Sequence, residues 1–507
     1  MRHVSFLLFF IFVFTVSSPA CHDTSHKAYT LVVYNVENLF DADGIAVFDD
    51  YKPEVYTPAH VYTKIDNMVR LLSRFNNGCG PDVLVLSEVE SDHSQSNGGN
   101  NYDVSAFLQK YSNTSLYEML GDGFNDDVAN LPSELLLLKG FYDHGITDYD
   151  VTSAYDPLRN GRPTHVQKNV ILSRLPIDHN KTRSHTITDA RPILEVWLEV
   201  QGYDLVVFAN HWKSRASDAD VEKVRVENAK VLKARLDELR SENPRVDFIL
   251  GGDFNSDYNQ SHRYPYMELT GANDVLKSTG NELAVARGEE DKIFNLWYEH
   301  PIDKRGSDIF RGYWGTLMQI MISPGLYDYY GIQYVDNSFD VKRVPGKNIY
   351  AISETPVRWN SVGAGYGYSD HLPISMQFRV TTDNDMDRII NLSNPSVNDD
   401  EHWSPIQVTV RMPDDGEYLT TSSIGGNLQT PELFDQLFLV EGTLSAPNKI
   451  MVNGQIFDLY APGFNVNTVF RAQTGREVRF YGRLGMFRGN WQFVIESEEF
   501  ILSLTQE

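Results

Sequence analysis

The chain has 507 residues, of which 41% are hydrophobic and 22% charged, proportions that exclude wholesale disorder, collagen-like repetition and a polytopic membrane protein. At about 100–200 residues per domain, this length makes two or three domains. With 44 Lys and Arg against 69 Asp and Glu the formal net charge is −25, so work on any polyphosphate has to rest on local basic residues and metal ions, not on a global basic field.

Residues 1–16 begin with Arg2 and His3 and continue as the apolar run VSFLLFFIFVFTV, shorter than the roughly 20 residues of a membrane-spanning helix. Small residues follow at Ser17, Ser18 and Ala20 before Cys21, the shape of a cleaved secretory signal. The expectation is a signal peptide over 1–20 and an exported protein: secreted, periplasmic or anchored to a membrane as a lipoprotein. The string SPAC resembles a bacterial lipobox, with Ser18 where Leu is usual, so a lipid anchor on Cys21 and an ordinary cut after Ala20 both stay open. The two cysteines, Cys21 and Cys79, exclude a disulfide framework and allow one bridge at most.

The run YTLVVY at 29–34 reads as a buried strand entering the loop NVENLFD. A helix is expected over 61–75, with Ile65, Met68, Val69, Leu71 and Leu72 on one face, and a second apolar strand in DVLVLSEVE at 82–90. Strands follow at 169–172, 193–200 and 205–209, then an amphipathic helix over 218–239 and strands at 247–250, 317–322 and 372–378. Strands interleaved with a few helices argue for an α/β layered domain over 28–380. Asp, Asn and Pro gather at 381–403, which reads as a linker. Beyond it lie the alternating runs QVTVRM, LFLVEGTLS, KIMVNGQIFDLYA, REVRFYGRL and WQFVIES, separated by Gly and Asn turns. They predict a small all-β barrel or sandwich over 404–507, reminiscent of an OB-fold.

Five strings concentrate the polar chemistry: NVENLF (35–40), DVLVLSEVE (82–90), NHWKSR (210–215), GDFNS (252–256) and SDHL (369–372). Each contains, ends or follows an apolar strand and presents a carboxylate, amide or imidazole, so one shared site at one edge of the sheets is expected. Such groups suit phosphodiester hydrolysis, which needs charge on the phosphate oxygens, an activated water and stabilisation of the developing phosphorane. Oxygen donors without cysteine favour magnesium, manganese or calcium over structural zinc.

In this order the strings resemble the endonuclease/exonuclease/phosphatase superfamily, the fold of pancreatic deoxyribonuclease, and within it the predicted extracellular nucleases of bacteria, over roughly 28–380. The resemblance implies a four-layer α/β sandwich followed by the small barrel. It implies a metal group of Glu88, Asp370, Asn35 and Glu37, with magnesium or manganese as the ion and calcium as a further candidate. It assigns catalytic roles to His211, which contacts the phosphate or protonates the leaving group, to Asp253 and Asn255, which orient water, and to His371, the base or phosphate donor. Asn210, Lys213 and Arg215 are the implied substrate contacts. The segment KNVILSRLPI at 168–177 is similar to a core strand of the family.

One position departs from that pattern. Family members carry an Asp in the strand before the last motif, where it orients the histidine, and here Met318 stands in its place. A thioether accepts no useful hydrogen bond from imidazole, so His371 needs Gln319 or a neighbour such as Asp308 instead. The resulting expectation is an exported, monomeric, metal-dependent phosphodiesterase with DNA or RNA as substrate. The alternatives are a phospholipid or sugar-phosphate phosphoesterase of the same superfamily and a weakly active or inactive binding protein on that fold. Phe480, Tyr481, Phe487 and Trp491 are candidates either for base stacking or for the barrel core.

Overall fold

The computed structural model describes residues 28–92, 102–156, 158–160, 162–381 and 404–504. The expected signal peptide, Cys21, residues 93–101 and most of the expected linker lie outside the described residues.

The apolar runs form two seven-stranded mixed sheets. The first contains β1 (Tyr29–Leu39), β2 (Val83–Glu90), β3 (Asp150–Ser153) and β4 (Gln167–Ser173). The second contains β5 (Arg183–Ile187), β6 (Ala190–Val200), β7 (Tyr203–His211) and β8 (Asp247–Asp253), then β9 (Ser278–Thr279) and β10 (Ile293–Asn295). A two-stranded hairpin, β11 (Asp308–Phe310) and β12 (Tyr313–Gly315), precedes β13 (Met318–Ile322), which returns to the second sheet. β14 (Gly331–Tyr334), β15 (Asp340–Val341) and β16 (Ile374–Thr381) complete the first. The first sheet runs β14-β16-β1-β2-β4-β3, with β15 on β16, and the second runs β9-β10-β13-β8-β7-β6-β5.

Alternation decides which face of each strand is buried against what. Leu31, Val33, Val83 and Val85 of the first sheet meet Val207, Ile249, Met318 and Ile320 of the second in the inter-sheet core. The opposite faces are covered by helices: Val32, Tyr34, Leu84 and Leu86 pack on α1 (Pro58–Leu72) and α2 (Ser133–Asp143). Val206, Phe208 and Leu250 pack on Leu232 and Leu236 of α3 (Ala219–Glu242). The result is a four-layer α/β sandwich. Thr57 and His60 form the capping box that starts α1, and the Asp218 carboxylate accepts the amides of Asp220 and Val221 at the start of α3. Helical segments between 104 and 143 and the hairpin β11–β12 escape the sequence reading, because their apolar residues fall in short, irregular groups.

In the C-terminal part, β17 (Leu419–Thr420), β18 (Leu437–Ala446), β19 (Lys449–Val452), β20 (Gln455–Tyr460), β21 (Glu477–Phe487), β22 (Asn490–Val494) and β23 (Ile501–Leu504) form one sheet. Pairing of β18 with β21 closes β18-β19-β20-β22-β21 into a five-stranded barrel. QVTVRM is not one of its strands. That run lies along the α/β unit instead, where Trp314 donates to the Ile406 carbonyl and Val408 to that of Gly312. Phe480 and Tyr481 fill the barrel core and Trp491 packs against it, whereas Phe487 is 60% exposed.

Two features of β8 yield predictions. Gly252 has φ +147°, and a Cβ there would lie 2.0 Å from the Asn210 carbonyl oxygen of neighbouring β7. Neither backbone has room to yield, so Gly252→Ala is expected to cost about 3 kcal/mol or more, measured by urea unfolding. At the other end, Asp247 is buried beside Asp328, and burial first and that charge second raise its carboxyl from 3.8 to about 8. The folded state therefore holds the proton more tightly than the unfolded chain, and the stabilisation, fully present below the ordinary carboxyl range, is lost as pH rises toward 8. Asp247→Asn removes that dependence: its melting temperature relative to wild type should climb between pH 5 and pH 8 in calorimetry.

Candidate active site

The site lies where β1, β2, β7 and β8 end, at the seam between the sheets. Gly251 lets the sheets approach closely there, since a Cβ at that position would come 2.9 Å from Val33 Cγ2. In the parallel pair β7–β8, His211 and Asp253 are register partners, so their side chains emerge together. The β1–β2 register shifts between Asn35 and Leu39. At this bulge Glu37, Asn38 and Glu88 adopt left-handed backbones with φ of 47°, 64° and 65°. For residues with a Cβ this conformation costs on the order of 1 kcal/mol each, and it turns the Glu88 carboxylate toward the second sheet.

Glu88, His211 and Asp253 present donor atoms that all lie within 4.8 Å of one another. His211 Nε2 is 3.8 Å from Glu88 Oε1 and 3.8 Å from Asp253 Oδ2. His371 Nε2 is likewise 3.8 Å from Asp253 Oδ2 and lies 3.9 Å from Asp370 Oδ1. The fully buried Asn35 sits between the carboxylates: its Nδ2 donates to Glu88 Oε1 and to Asp253 Oδ2, both at 3.0 Å. Its Oδ1 accepts the Glu37 amide at 3.0 Å, which fixes the orientation of the side-chain amide. Asn35, expected in the metal group, thus presents nitrogen to both carboxylates and orients them. Asp253 Oδ1 accepts the Asn255 amide at 2.8 Å, and Asn255 Nδ2 donates to the Trp212 carbonyl at 3.1 Å.

Glu37, also expected to hold metal, is turned away from the carboxylate group. Its Oε1 takes two hydrogen bonds from the Arg358 guanidinium at 3.1 and 2.7 Å, and its Oε2 accepts the Trp359 amide at 2.9 Å. Arg358 Nη2 also reaches Asp370 Oδ2 at 3.4 Å. Asp370 is therefore beside the donor group but tied to an arginine at its rim. Asn210, expected at the substrate, is fully buried on the opposite face of β7, where its Oδ1 accepts Trp212 Nε1 at 3.1 Å and its Nδ2 donates to the Phe208 carbonyl at 3.1 Å. The period of two that aims His211 into the site aims Asn210 out of it. Lys213 and Arg215 are exposed on a loop whose carbonyls are held by the buried Arg225 of α3, at 2.8 Å from Lys213 and 3.2 Å from Arg215.

The sequence reading misses four supporting residues. Arg191 donates to the Trp212 carbonyl at 3.2 Å and to Gln167 at 2.8 Å, beneath His211. Lys64 is buried with its ammonium 3.0 Å from the Glu37 carbonyl oxygen, and burial lowers it to about 8. Ser369 Oγ donates to the Asn35 carbonyl at 2.7 Å, and Arg358 forms the cationic rim. Ser369 stands in SDHL, where the acidic and imidazole neighbours draw the notice, and the other three stand outside the five strings.

The electrostatics are those of crowded anions. Burial first and the Asp370 charge second push Glu88 up to about 7. Burial, then Arg191, then His371 drive the His211 imidazole well below its usual range. For His371 burial acts downward, but Asp370, Asp253, Asp308 and Glu88 together prevail and raise it to about 9. The convergence of the Glu88 and Asp253 carboxylates, with an imidazole beside them, fits a hard divalent cation held chiefly by oxygen.

Residues 173–380 match the profile of the Endonuclease/Exonuclease/phosphatase family. Among solved structures the chain is similar to an endonuclease/exonuclease/phosphatase family protein from Leptotrichia buccalis, at 14% identity and a TM-score of 0.40, over 70% of this chain and 100% of that one. It is similar to truncated TDP2 from Caenorhabditis elegans at 12% identity and a TM-score of 0.36, over 69% and 98% of the two chains. A third similar structure is sphingomyelinase C from Streptomyces griseocarneus, at 15% identity and a TM-score of 0.37, over 69% and 99%. No curated protein matches the sequence. Segment 173–380 of the four-layer α/β unit is thus similar to the Endonuclease/Exonuclease/phosphatase family.

Proposed function

We propose that the chain is an exported phosphodiesterase that uses a divalent cation to hydrolyse DNA or RNA with low sequence specificity. The observation that carries this reading is the meeting of Glu88, His211 and Asp253 within 4.8 Å at the seam of a superfamily α/β sandwich. Glu88 and Asp253 would hold magnesium or manganese, which would supply positive charge to a phosphate's non-bridging oxygens.

The chain's own residues do the rest. Asn35 holds the two carboxylates in one orientation, and the Asn255 amide fixes Asp253 at its other oxygen, leaving Asp253 to orient the attacking water. His211 and His371 present Nε2 to the same space and there contact the phosphate as charge builds on it. The exposed Lys213 and Arg215, on the loop after His211, supply the local positive charge that a polyanion requires on a chain of net charge −25. Because these side chains are exposed and mobile in length, they suit a repeating phosphate backbone better than a single headgroup.

Purified protein is to be incubated with plasmid DNA, RNA, sphingomyelin and bis(p-nitrophenyl) phosphate, with magnesium, manganese or excess chelator. Hydrolysis of nucleic acid that chelator abolishes and either ion restores is expected, and Glu88→Gln should lower the rate by about 100-fold or more. Full activity in chelator would reject the metal, and cleavage of sphingomyelin without cleavage of nucleic acid would move the substrate to the lipid class.

Export is tested separately. The run over 4–16 and the small residues before Cys21 support a mature chain that begins at or after Cys21. Mass spectrometry of protein from its native host should find no peptide from 1–16, and a diacylglycerol on Cys21 would identify the anchored form. An intact Met1 segment would refute processing.

A further inference from the structure

A buried imidazole that turns one ring nitrogen to a reacting centre is positioned by whatever binds the other nitrogen. His371 is 8% exposed and points Nε2 at Asp253 and Asp370, while its buried Nδ1 has no hydrogen-bond partner among the described residues. The strand position from which the family supplies a carboxylate holds Met318, which is fully buried in the inter-sheet core and pairs across the strands with Asp253. Gln319 is committed on the other face: its Oε1 accepts Asn295 Nδ2 at 2.7 Å and its Nε2 donates to the Ser256 carbonyl.

We propose that Asp308, carried in by the inserted hairpin β11–β12, is the positioning residue that fixes the His371 imidazole through Nδ1. Asp308 and His371 are partners in an isolated antiparallel bridge, and Leu372 N donates to the Ser307 carbonyl at 2.6 Å beside it. Such partners project from the same face, with Cβ atoms about 4.5–5.5 Å apart. The carboxylate is itself oriented: Oδ1 accepts Ser307 Oγ at 3.1 Å and Leu317 N at 3.2 Å. Its Oδ2 occupies the space above Gly315, the register partner of Asp308 across the hairpin, where a Cβ would come within 2.2 Å. The neighbouring Asp257 is bound to Thr316 and Arg263 and does not compete for the imidazole. Burial raises the Asp308 carboxyl to about 6 while the nearby His371 pulls it down.

The catalytic consequence rests on the phosphodiesterase reading, but the contact can be read without catalysis. In the full-length protein labelled with 15N-histidine, a downfield, slowly exchanging Nδ1–H resonance assigned by its absence in His371→Ala is expected in wild type. It should be lost in Asp308→Ala and in Gly315→Ala, which displaces the carboxylate while leaving it in the chain. With bis(p-nitrophenyl) phosphate and magnesium, Asp308→Ala should lower kcat by about tenfold or more and leave KM within about twofold, and it should cost nothing further in the His371→Ala background. Variants that melt within a few degrees of wild type and keep the resonance overturn the inference, as does a loss in kcat that persists undiminished on His371→Ala. A wild type that hydrolyses no phosphodiester refutes the function, and the resonance alone then decides the inference.

Discussion

Two carboxylates on different sheets, the part-buried Glu88 and the buried Asp253, stand within a few ångströms of each other with one amide between them. Asn35 gives one hydrogen bond to Glu88 on β2 and one to Asp253 on β8. Its other side-chain atom is anchored on the Glu37 amide and its backbone carbonyl on Ser369. Four of the five polar strings are thereby tied to a single residue. In a low-dielectric seam the repulsion between the carboxylates is strong, and an NH2 group that satisfies both is what keeps the site assembled. The close approach at Gly251 brings the sheets near enough for the amide to span the gap.

Around this amide, charge is arranged in shells of alternating sign. Arg191 lies beneath His211, Lys64 is buried under the Glu37 carbonyl, and Arg358 closes the rim by joining Glu37 to Asp370. These cations are fixed by hydrogen bonds to the protein, so their field is preorganised and needs no rearrangement when a phosphate arrives. The left-handed backbones at Glu37, Asn38, Glu88 and Asn255 cluster at the same place. They show that packing of the surrounding sheets overrides local preference where the carboxylates must be aimed.

The barrel takes part in this arrangement through the segment that carries Arg358. Tyr350 donates to Asp435 at 2.8 Å and lies under the Arg483 guanidinium at 3.9 Å, while Asn360 donates to the Met486 carbonyl at 3.3 Å. Arg483 is held in turn by Glu496 at 3.2 Å. The loop that carries the rim arginine is thus gripped on one side by Glu37 and on the other by the barrel. The run QVTVRM, which alternates like a strand, serves the same junction by lying along the β11–β12 hairpin that brings Asp308 to His371.

The sequence by itself determined the layered α/β architecture and the later barrel, because periodic burial of apolar residues is a local signal that each strand carries within itself. It also pointed to one place for Glu88, His211, Asp253 and His371, since the first three close apolar strands and the last directly precedes one. What only the tertiary structure decided is the partner of each polar group. Asn210 differs from His211 by one position and so faces the opposite side of β7, and Glu37 is turned to Arg358 by a bulge that no residue pattern announces. Arg358 reaches the site from a loop, Asp308 from a short hairpin and Arg191 from the first residues of β6, ahead of the apolar run at 193–200. Their contacts form across separations that run from 21 residues for Arg191–Trp212 to 321 for Arg358–Glu37, where strand register and sheet approach, rather than sequence neighbours, set which side chains meet.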